Sequence, residues 1–317
     1  MARYLVTGGA GFIGSSIVEE LVQRGESVRM IDNLSSGKRA NLEAILDKVE
    51  LMVADICDGE AMKRACQGVD FVIHLAALTS VPRSVADPDT THRVNATGTL
   101  GVLLAARDAK VRRLVYAASS SAYGDTKTLP KVETMPPVPI SPYGVAKYAG
   151  ELYCQVFSRV YGLEAVALRY FNIFGPRQDP SSPYSAVLSK FITAVLKDEP
   201  PVVYGDGNQT RDFTYVANAV DATLRASTAP GTMAGEVFNV GTGGRHSLNE
   251  TLEILAQISE RKISAKYEAE RPGDIRDSLA DISKGRRLLG YEPAVDFEKG
   301  LRLTYDWYKN NLKALAW

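Results

Sequence analysis

Histidine and cysteine are scarce in this chain of 317 residues, with three of each. A metal site built on several histidines is therefore not expected. Cys57, Cys66 and Cys154 have neither a metal-ligand spacing nor a disulfide pattern, so reduced, buried thiols in a cytoplasmic protein are expected. Excess charge is absent as well: 37 acidic residues balance 37 basic ones. That removes the electrostatic footprint of a nucleic-acid partner and of a polybasic membrane tail. No apolar run reaches the ~18 residues of a membrane span. The opening Met1 to Val6 reads directly into a strand, and no signal peptide is expected.

What the chain does have is alternation of strands with helices. Tyr4 to Thr7 is strand-like, and Gly8, Gly11 and Gly14 follow in a G-x-x-G-x-x-G turn ahead of the amphipathic run Ser15 to Arg24. Strand, glycine turn and helix make the first unit of a dinucleotide-binding fold, in which backbone approaches a pyrophosphate at a helix N-terminus. A second strand, Ser27 to Ile31, ends at Asp32 and Asn33, where a carboxylate can hold the adenosine ribose hydroxyls and repel a 2′-phosphate; NAD is favoured over NADP. Further strands run over Glu50 to Ala54, ending at Asp55 and Ile56, over Asp70 to His74, running into Ala76, over Arg113 to Ala117, and over Ala165 to Tyr170. The stretch Asp87 to Ala109 reads as one long helix containing Asn95. The expected fold is α/β, a Rossmann-type doubly wound parallel sheet.

Ser119, Ser120 and Ser121 stand at the end of the fifth strand, and a stretch with five prolines leads from Thr128 to Pro142. There Ser141 suits an N-cap and Pro142 the first helical position, so a long helix through Tyr161 carries Tyr143 and Lys147 four residues apart on one face. A phenol of pKa ~10 needs about 4 kcal/mol of differential stabilisation to work as a base near pH 7. An ammonium, a helix N-terminus and a cationic cofactor together can supply it.

Beyond Gly175-Pro176-Arg177 the segments shorten. Residues 1–172 are expected to form the NAD-binding domain, and 173–317 mainly a smaller α+β substrate-binding lobe interleaved with the sheet. Its expected helices are Tyr184 to Leu196, Val216 to Ser227, Leu248 to Ser259 and Phe297 to Asn311; its expected strands are Pro201 to Tyr204, Glu236 to Val240 and Ile263 to Tyr267. Two loop clusters, Gln209 to Phe213 and Arg271 to Asp274, offer arginines to a phosphate-bearing ligand.

The glycine turn, Asp32, the Ser119 run and the Tyr143/Lys147 pair together resemble the extended short-chain dehydrogenase/reductase superfamily. Arg169-Tyr170-Phe171-Asn172, Gly175-Pro176-Arg177, Arg211-Asp212-Phe213 and Arg271-Pro272-Gly273-Asp274 narrow the resemblance to the UDP-hexose 4-epimerases, across essentially the whole chain. The stretches Ala117 to Ser121 and Ser278 to Lys284 look most like bacterial epimerases of UDP-N-acetylglucosamine. The resemblance implies Tyr143 as base and acid on the sugar O4, Lys147 on the nicotinamide ribose and Ser119 on O4. It implies Gly8, Gly11, Phe12, Ile13 and Gly14 on the NAD pyrophosphate, Asp32 and Asn33 on the ribose, Asp55 and Ile56 on the adenine, and Ala76 and Asn95 along the cofactor. Asn172, Arg211, Arg271 and Asp274 would take the nucleotide of a UDP-sugar, with Ser120, Ser121 and Ser278 beside the sugar.

The implied reaction is NAD-dependent inversion of C4 through a 4-keto sugar. Dehydratases of this kind carry Asp-Glu where Ser120 and Ser121 stand, which disfavours dehydration. In the family a bulky Tyr at the position of Ser278 narrows the pocket and a small residue admits an N-acetyl group. UDP-GlcNAc/UDP-GalNAc is thus the expected pair, with UDP-Glc/UDP-Gal as a further one. A UDP-glucuronate 4-epimerase and a non-catalytic NAD(H)-responsive binding protein stand as alternatives. The family often forms homodimers through a four-helix bundle, with which Leu100, Leu103, Leu104, Leu152, Val156 and Val160 are compatible, as they are with burial against the sheet.

Overall fold

A seven-stranded, all-parallel sheet forms the centre of the computed structural model, which describes residues 1–180, 187–270 and 275–311. Strands β1 (Arg3–Thr7), β2 (Ser27–Asp32), β3 (Glu50–Val53), β4 (Phe71–His74), β5 (Arg113–Ser119) and β6 (Ala165–Tyr170) lie in the order β3-β2-β1-β4-β5-β6. The strand Val237–Val240 adds itself beside β6, with Asn239 opposite Arg169. The segment expected as Glu236 to Val240 in the smaller lobe is therefore the outermost strand of the main sheet.

Strand residues alternate between two cores, as period-2 geometry requires. Tyr4, Val6, Phe71 and Ile73 pack on one side with Ile17 and Val18 of helix α1 (Phe12–Gln23). Leu5, Val72, Leu114 and Tyr116 pack on the other, against α2 (Gly59–Cys66), α5 (Thr99–Asp108) and α6 (Pro142–Tyr161). Both faces are covered, which is why the inner strands are near-continuous apolar runs.

The expected long helix from Asp87 to Ala109 is broken. A short α3 (Val81–Ala86) precedes it, α4 covers Pro88–His92, and residues Arg93–Gly98 form a π-helical segment before α5. A π turn inserts one residue and is usually held by tertiary bonds; here Asn95, inside it, binds backbone outside the helix.

The remaining helices are α7 (Val187–Leu196), α8 (Val216–Thr228), α9 (Leu248–Ser259), α10 (Ser283–Leu289) and α11 (Phe297–Asn311). The first residues expected for α7, Tyr184 to Ala186, lie outside the described residues. Three short strand pairs accompany the helices. Ile173–Phe174 pairs with Thr214–Tyr215, Thr210–Arg211 with His246–Ser247, and Val202–Tyr204 with Lys266–Glu268. The strand Lys266–Glu268 overlaps the expected Ile263 to Tyr267, starting three residues later and ending one residue beyond it.

Candidate active site

The carboxyl ends of the strands collect most of the candidate residues on one edge, on either side of the point where the strand order reverses between β1 and β4. The glycine turn leaves β1 there. Gly8 sits at φ +71°, and a Cβ on it would meet the Ala76 backbone nitrogen at 2.8 Å. A Cβ on Gly14 would meet the Gly8 carbonyl oxygen at 2.0 Å, so only glycine lets α1 start this close to β1. Phe12 and Ile13 open that helix. Asp32 ends β2; its carboxylate accepts from the Ala10 N–H at 2.9 Å and the Leu34 N–H at 2.8 Å. Asn33 donates to the Asp55 carboxylate at 2.8 Å, and Asp55 also accepts from the Cys57 N–H at 2.8 Å, beside Ile56. Glycine backbone at a helix start, with a carboxylate at the end of the next strand, has the donor and acceptor chemistry a dinucleotide needs.

Asn95 is buried and clamps the backbone of one residue, accepting from Leu78 N–H and donating to Leu78 C=O, both at 2.8 Å. This fixes the loop that leaves β4 through Ala76. A second line of bonds, which sequence reasoning missed, holds the same loop. Thr7 Oγ1 accepts from Leu75 N–H at 3.2 Å and Ala76 N–H at 3.1 Å. Its own proton is then free for His74 Nδ1 at 2.7 Å, leaving Nε2–H to meet Thr99 Oγ1 at 3.0 Å, whose hydroxyl donates to Asn95 C=O at 2.7 Å. Burial, with Lys147 adding, pushes the His74 imidazole down to about 3, so it is neutral, as this chain of donors demands.

Helix α6 begins as its sequence predicts. Ser141 Oγ accepts from Gly144 N–H at 3.1 Å, and Pro142 occupies the first turn. Tyr143 N–H donates to the buried Ser84 hydroxyl at 3.0 Å, which itself donates to Val81 C=O at 2.6 Å. Ser84 lies on α3, whose only sequence signal is Ser80 capping ahead of Pro82. Ser119 caps the turn Ser120–Tyr123: it accepts from Ser121 N–H at 3.2 Å and is 2.8 Å from the Ser121 hydroxyl.

The chain's own groups do not depress the phenol. Burial raises Tyr143, and a hydrogen bond with Ser119 draws it partly back. Lys147 is buried too, which pushes its amine down to about 7, and its Nζ donates to Ala117 C=O at 2.8 Å. The pair thus sits one turn apart on α6, facing the end of β5.

The fold brings Asn172 and Ser278 together. Asn172 Nδ2 donates to Asp212 C=O at 3.0 Å and to Ser278 Oγ at 3.3 Å. Ser278 follows Arg276, whose carbonyl accepts from Arg211 Nη1 at 2.8 Å. Asp212, not singled out as a site residue, is fully buried and ties three segments together. It accepts from Thr242 N–H at 2.8 Å, Gly243 N–H at 3.1 Å and Ala280 N–H at 3.2 Å. Burial raises its carboxyl and those hydrogen bonds offset part of the rise. Arg271 and Asp274 lie outside the described residues. Among the described residues no three His, Cys, Asp or Glu side chains gather as metal ligands, and no helix is long and apolar enough to cross a membrane.

Comparison with known proteins covers nearly the whole chain. The NAD dependent epimerase/dehydratase family model matches residues 4–241. A putative UDP-glucose 4-epimerase of Methanocaldococcus jannaschii is 39% identical over 309 residues, 97% of this chain and 98% of that protein. The UDP-N-acetylglucosamine 4-epimerase of Methanobrevibacter ruminantium M1, solved in complex with UDP-N-acetylmuramic acid, superposes with a TM-score of 0.93 at 41% identity, over 98% of this chain and 99% of that one. The UDP-glucose 4-epimerase of Thermus thermophilus, solved with NAD, gives a TM-score of 0.89 at 38% identity, over 97% and 99%.

Proposed function

This chain belongs to the NAD dependent epimerase/dehydratase family and is an NAD-dependent enzyme of the UDP-sugar 4-epimerase kind, and from that premise we propose that it interconverts UDP-GlcNAc and UDP-GalNAc, with UDP-Glc and UDP-Gal as further substrates. The observation that carries the choice of sugar is Ser278. It is a small side chain, 8% exposed, bonded to Asn172 through its hydroxyl and to the Thr210 carbonyl through its N–H. In this reading a side chain as small as serine leaves room for an acetamido group, where a tyrosine would not.

In this reading Gly8, Gly11, Phe12, Ile13 and Gly14 hold the pyrophosphate, Asp32 and Asn33 the ribose, Asp55 and Ile56 the adenine, and Ala76 and Asn95 line the nicotinamide half. NAD, when bound, supplies the acceptor and donor of the hydrogen at C4. The proton is the chain's own work. Tyr143 Oη takes it from the sugar O4 and returns it to O4 after the sugar has turned its other face. The phenol needs a cation beside it, and protonated Lys147 is the one the chain brings. Ser119 orients O4. Ser120 and Ser121 offer hydroxyls in place of the second acid and base that elimination of water requires, so the cycle ends in inversion. Asn172, Arg211, Arg271 and Asp274 grip the UDP.

The exposed apolar stripe Val145, Leu152, Val156 and Val160 along α6, with Leu104 of α5, is the face on which a second copy of this chain would pack, making a homodimer. Leu103 is not on that face, being fully buried in its own core. Cys66 and Cys154 are buried as expected, whereas Cys57 is exposed, and three free thiols fit the reducing cytoplasm.

Incubation of the purified protein with UDP-GlcNAc, without added NAD, tests the reading by appearance of the galacto isomer. Parallel incubations with UDP-Glc and UDP-glucuronate rank the sugars; turnover of the glucuronate alone would overturn the choice. Ser278→Tyr should remove acetamido turnover and spare that of UDP-Glc.

A further inference from the structure

Asn239, fully buried in the strand Val237–Val240, is a crossing point for three segments. Its side-chain amide donates to Lys131 C=O at 2.8 Å and to Asp281 C=O at 3.1 Å. Its Oδ1 accepts from the Tyr123 hydroxyl at 2.7 Å, and its backbone N–H donates to Glu133 Oε1 at 2.8 Å. The two carbonyls it holds belong to segments that also pair directly. Lys131 N–H donates to Leu279 C=O at 2.7 Å, and Asp281 N–H to Lys131 C=O at 2.9 Å. Ser278 immediately precedes this pairing, anchored by its own N–H to Thr210 C=O at 3.1 Å.

The other end of the connection is the turn Ser120–Tyr123, which Ser119 caps. Tyr123 closes that turn, 1% exposed, with the Arg169 guanidinium 4.5 Å from its ring centroid. Its hydroxyl is therefore carried by the same short, rigid turn as Ser119 and Ser121. Two hydrogen bonds in series through the Asn239 side chain thus link the turn bearing the catalytic-side hydroxyls to the segment bearing Ser278. Burial pushes the Tyr123 phenol up to about 12, so at neutral pH it stays a donor.

We propose that Tyr123 and Asn239 form a positioning pair that sets the separation of the two walls of the sugar pocket, and so determines which hexose fits. The proposal rests on the reading in which Ser119 and Ser278 face the sugar. Neither residue touches substrate in this account; each acts through the segment it holds. Without the Tyr123 hydroxyl, buried Oδ1 loses its donor, and the Asn239 amide, still bonded to the Lys131 and Asp281 carbonyls, is no longer tied to the turn Ser120–Tyr123. The wall carrying Ser278 is then free to shift. An acetamido group, which reaches that wall, loses more than an unmodified hexose, which does not.

The test measures kcat and KM for UDP-GlcNAc and UDP-Glc, with Kd for UDP, in the full-length protein carrying Tyr123→Phe, Asn239→Asp or Ser278→Tyr. Asn239→Asp keeps the acceptor for Tyr123 and removes both amide donors, so it probes the same spacer from the other side. Tyr123→Phe and Asn239→Asp should each lower the kcat/KM ratio of UDP-GlcNAc to UDP-Glc about five- to tenfold, the worth of one or two hydrogen bonds. The change should enter through KM, with kcat for UDP-Glc and Kd for UDP within about twofold of wild type. A merely structural role would lower both kcat values together and leave the ratio in place, which overturns the proposal. If Ser278→Tyr moves the ratio while both spacer variants leave it untouched, the spacer fails and the pocket reading stands. If Ser278→Tyr leaves the ratio untouched, the pocket reading itself fails and takes the proposal with it.

Discussion

Glu151 lies one helical turn beyond Lys147, and both its oxygens are held by Arg169 of β6, Nε to Oε2 at 2.9 Å and Nη2 to Oε1 at 2.6 Å. The two side chains are 1% and 3% exposed. A bidentate pair this deep fixes the position of α6 along β6, and with it the height of Tyr143 and Lys147 over the end of β5.

Breaking one member strands a buried charge. Glu151→Gln or Arg169→Met should each cost about 3–5 kcal/mol of unfolding free energy, read from the urea midpoint. The double change Glu151→Leu with Arg169→Met should recover most of that, since two apolar side chains need no partner. Single variants as stable as wild type would show that the pair does not anchor the helix.

Tyr143→Phe keeps the ring and removes only the ionisable oxygen. Turnover of the UDP-sugar should fall about 10²–10⁴-fold, while UDP binding and the unfolding midpoint stay near wild type. Steady-state rates with isothermal titration of UDP separate the two effects. Near-normal turnover would assign the O4 proton to another group.

Much of this site is written locally. The glycine turn, the acid at the end of β2 and the Ser141-Pro142 start of α6 are decided by residues within a few positions of one another, and α9 and α11 follow their expected limits. The break at Arg93–Gly98 is not local: the Asn95 side chain inside it bonds to the Leu78 backbone, seventeen residues away. The strand Val237–Val240 has an ordinary strand pattern, but nothing near it in sequence says that its partner is β6. Likewise Asp212 has a carboxylate whose three backbone partners, Thr242, Gly243 and Ala280, become neighbours only in the folded chain. The cation expected to depress the Tyr143 phenol illustrates the same point electrostatically. Spacing puts Lys147 on the right face, but burial, which spacing does not encode, works against its charged form.

His74 makes a signed pH prediction. Its folded pKa, about 3, lies below the ordinary histidine value of 6.5. Between those values the unfolded chain binds a proton that the folded chain refuses, so stability rises with pH and is lost as pH falls from 6.5 towards 3. From about pH 7 to about pH 5 this one group should remove about 2 kcal/mol from wild type. His74→Gln should flatten that part of the profile, measured by urea unfolding at each pH. An unchanged slope would mean that the imidazole is protonated inside the fold.

The last prediction separates glycine as a packing requirement from glycine as a flexible link. A Cβ at position 14 would lie 2.0 Å from the Gly8 carbonyl oxygen and 2.9 Å from its carbon. Both are backbone atoms of the turn itself, which cannot rotate away as a side chain can. Gly14→Ala must therefore push α1 off β1, opening the cradle in which Gly8, Gly11 and the N-terminus of α1 converge. Gly59, at the start of α2, has nothing within 4 Å of the same added atom. Gly59→Ala should be neutral or stabilise by about 0.4–1 kcal/mol, through the reduced freedom of the unfolded chain. Gly14→Ala should destabilise the fold, and the purified protein should carry less NAD than wild type by absorbance and extraction. Equal NAD content in the two variants would show that the close approach of helix to turn is not what holds the dinucleotide.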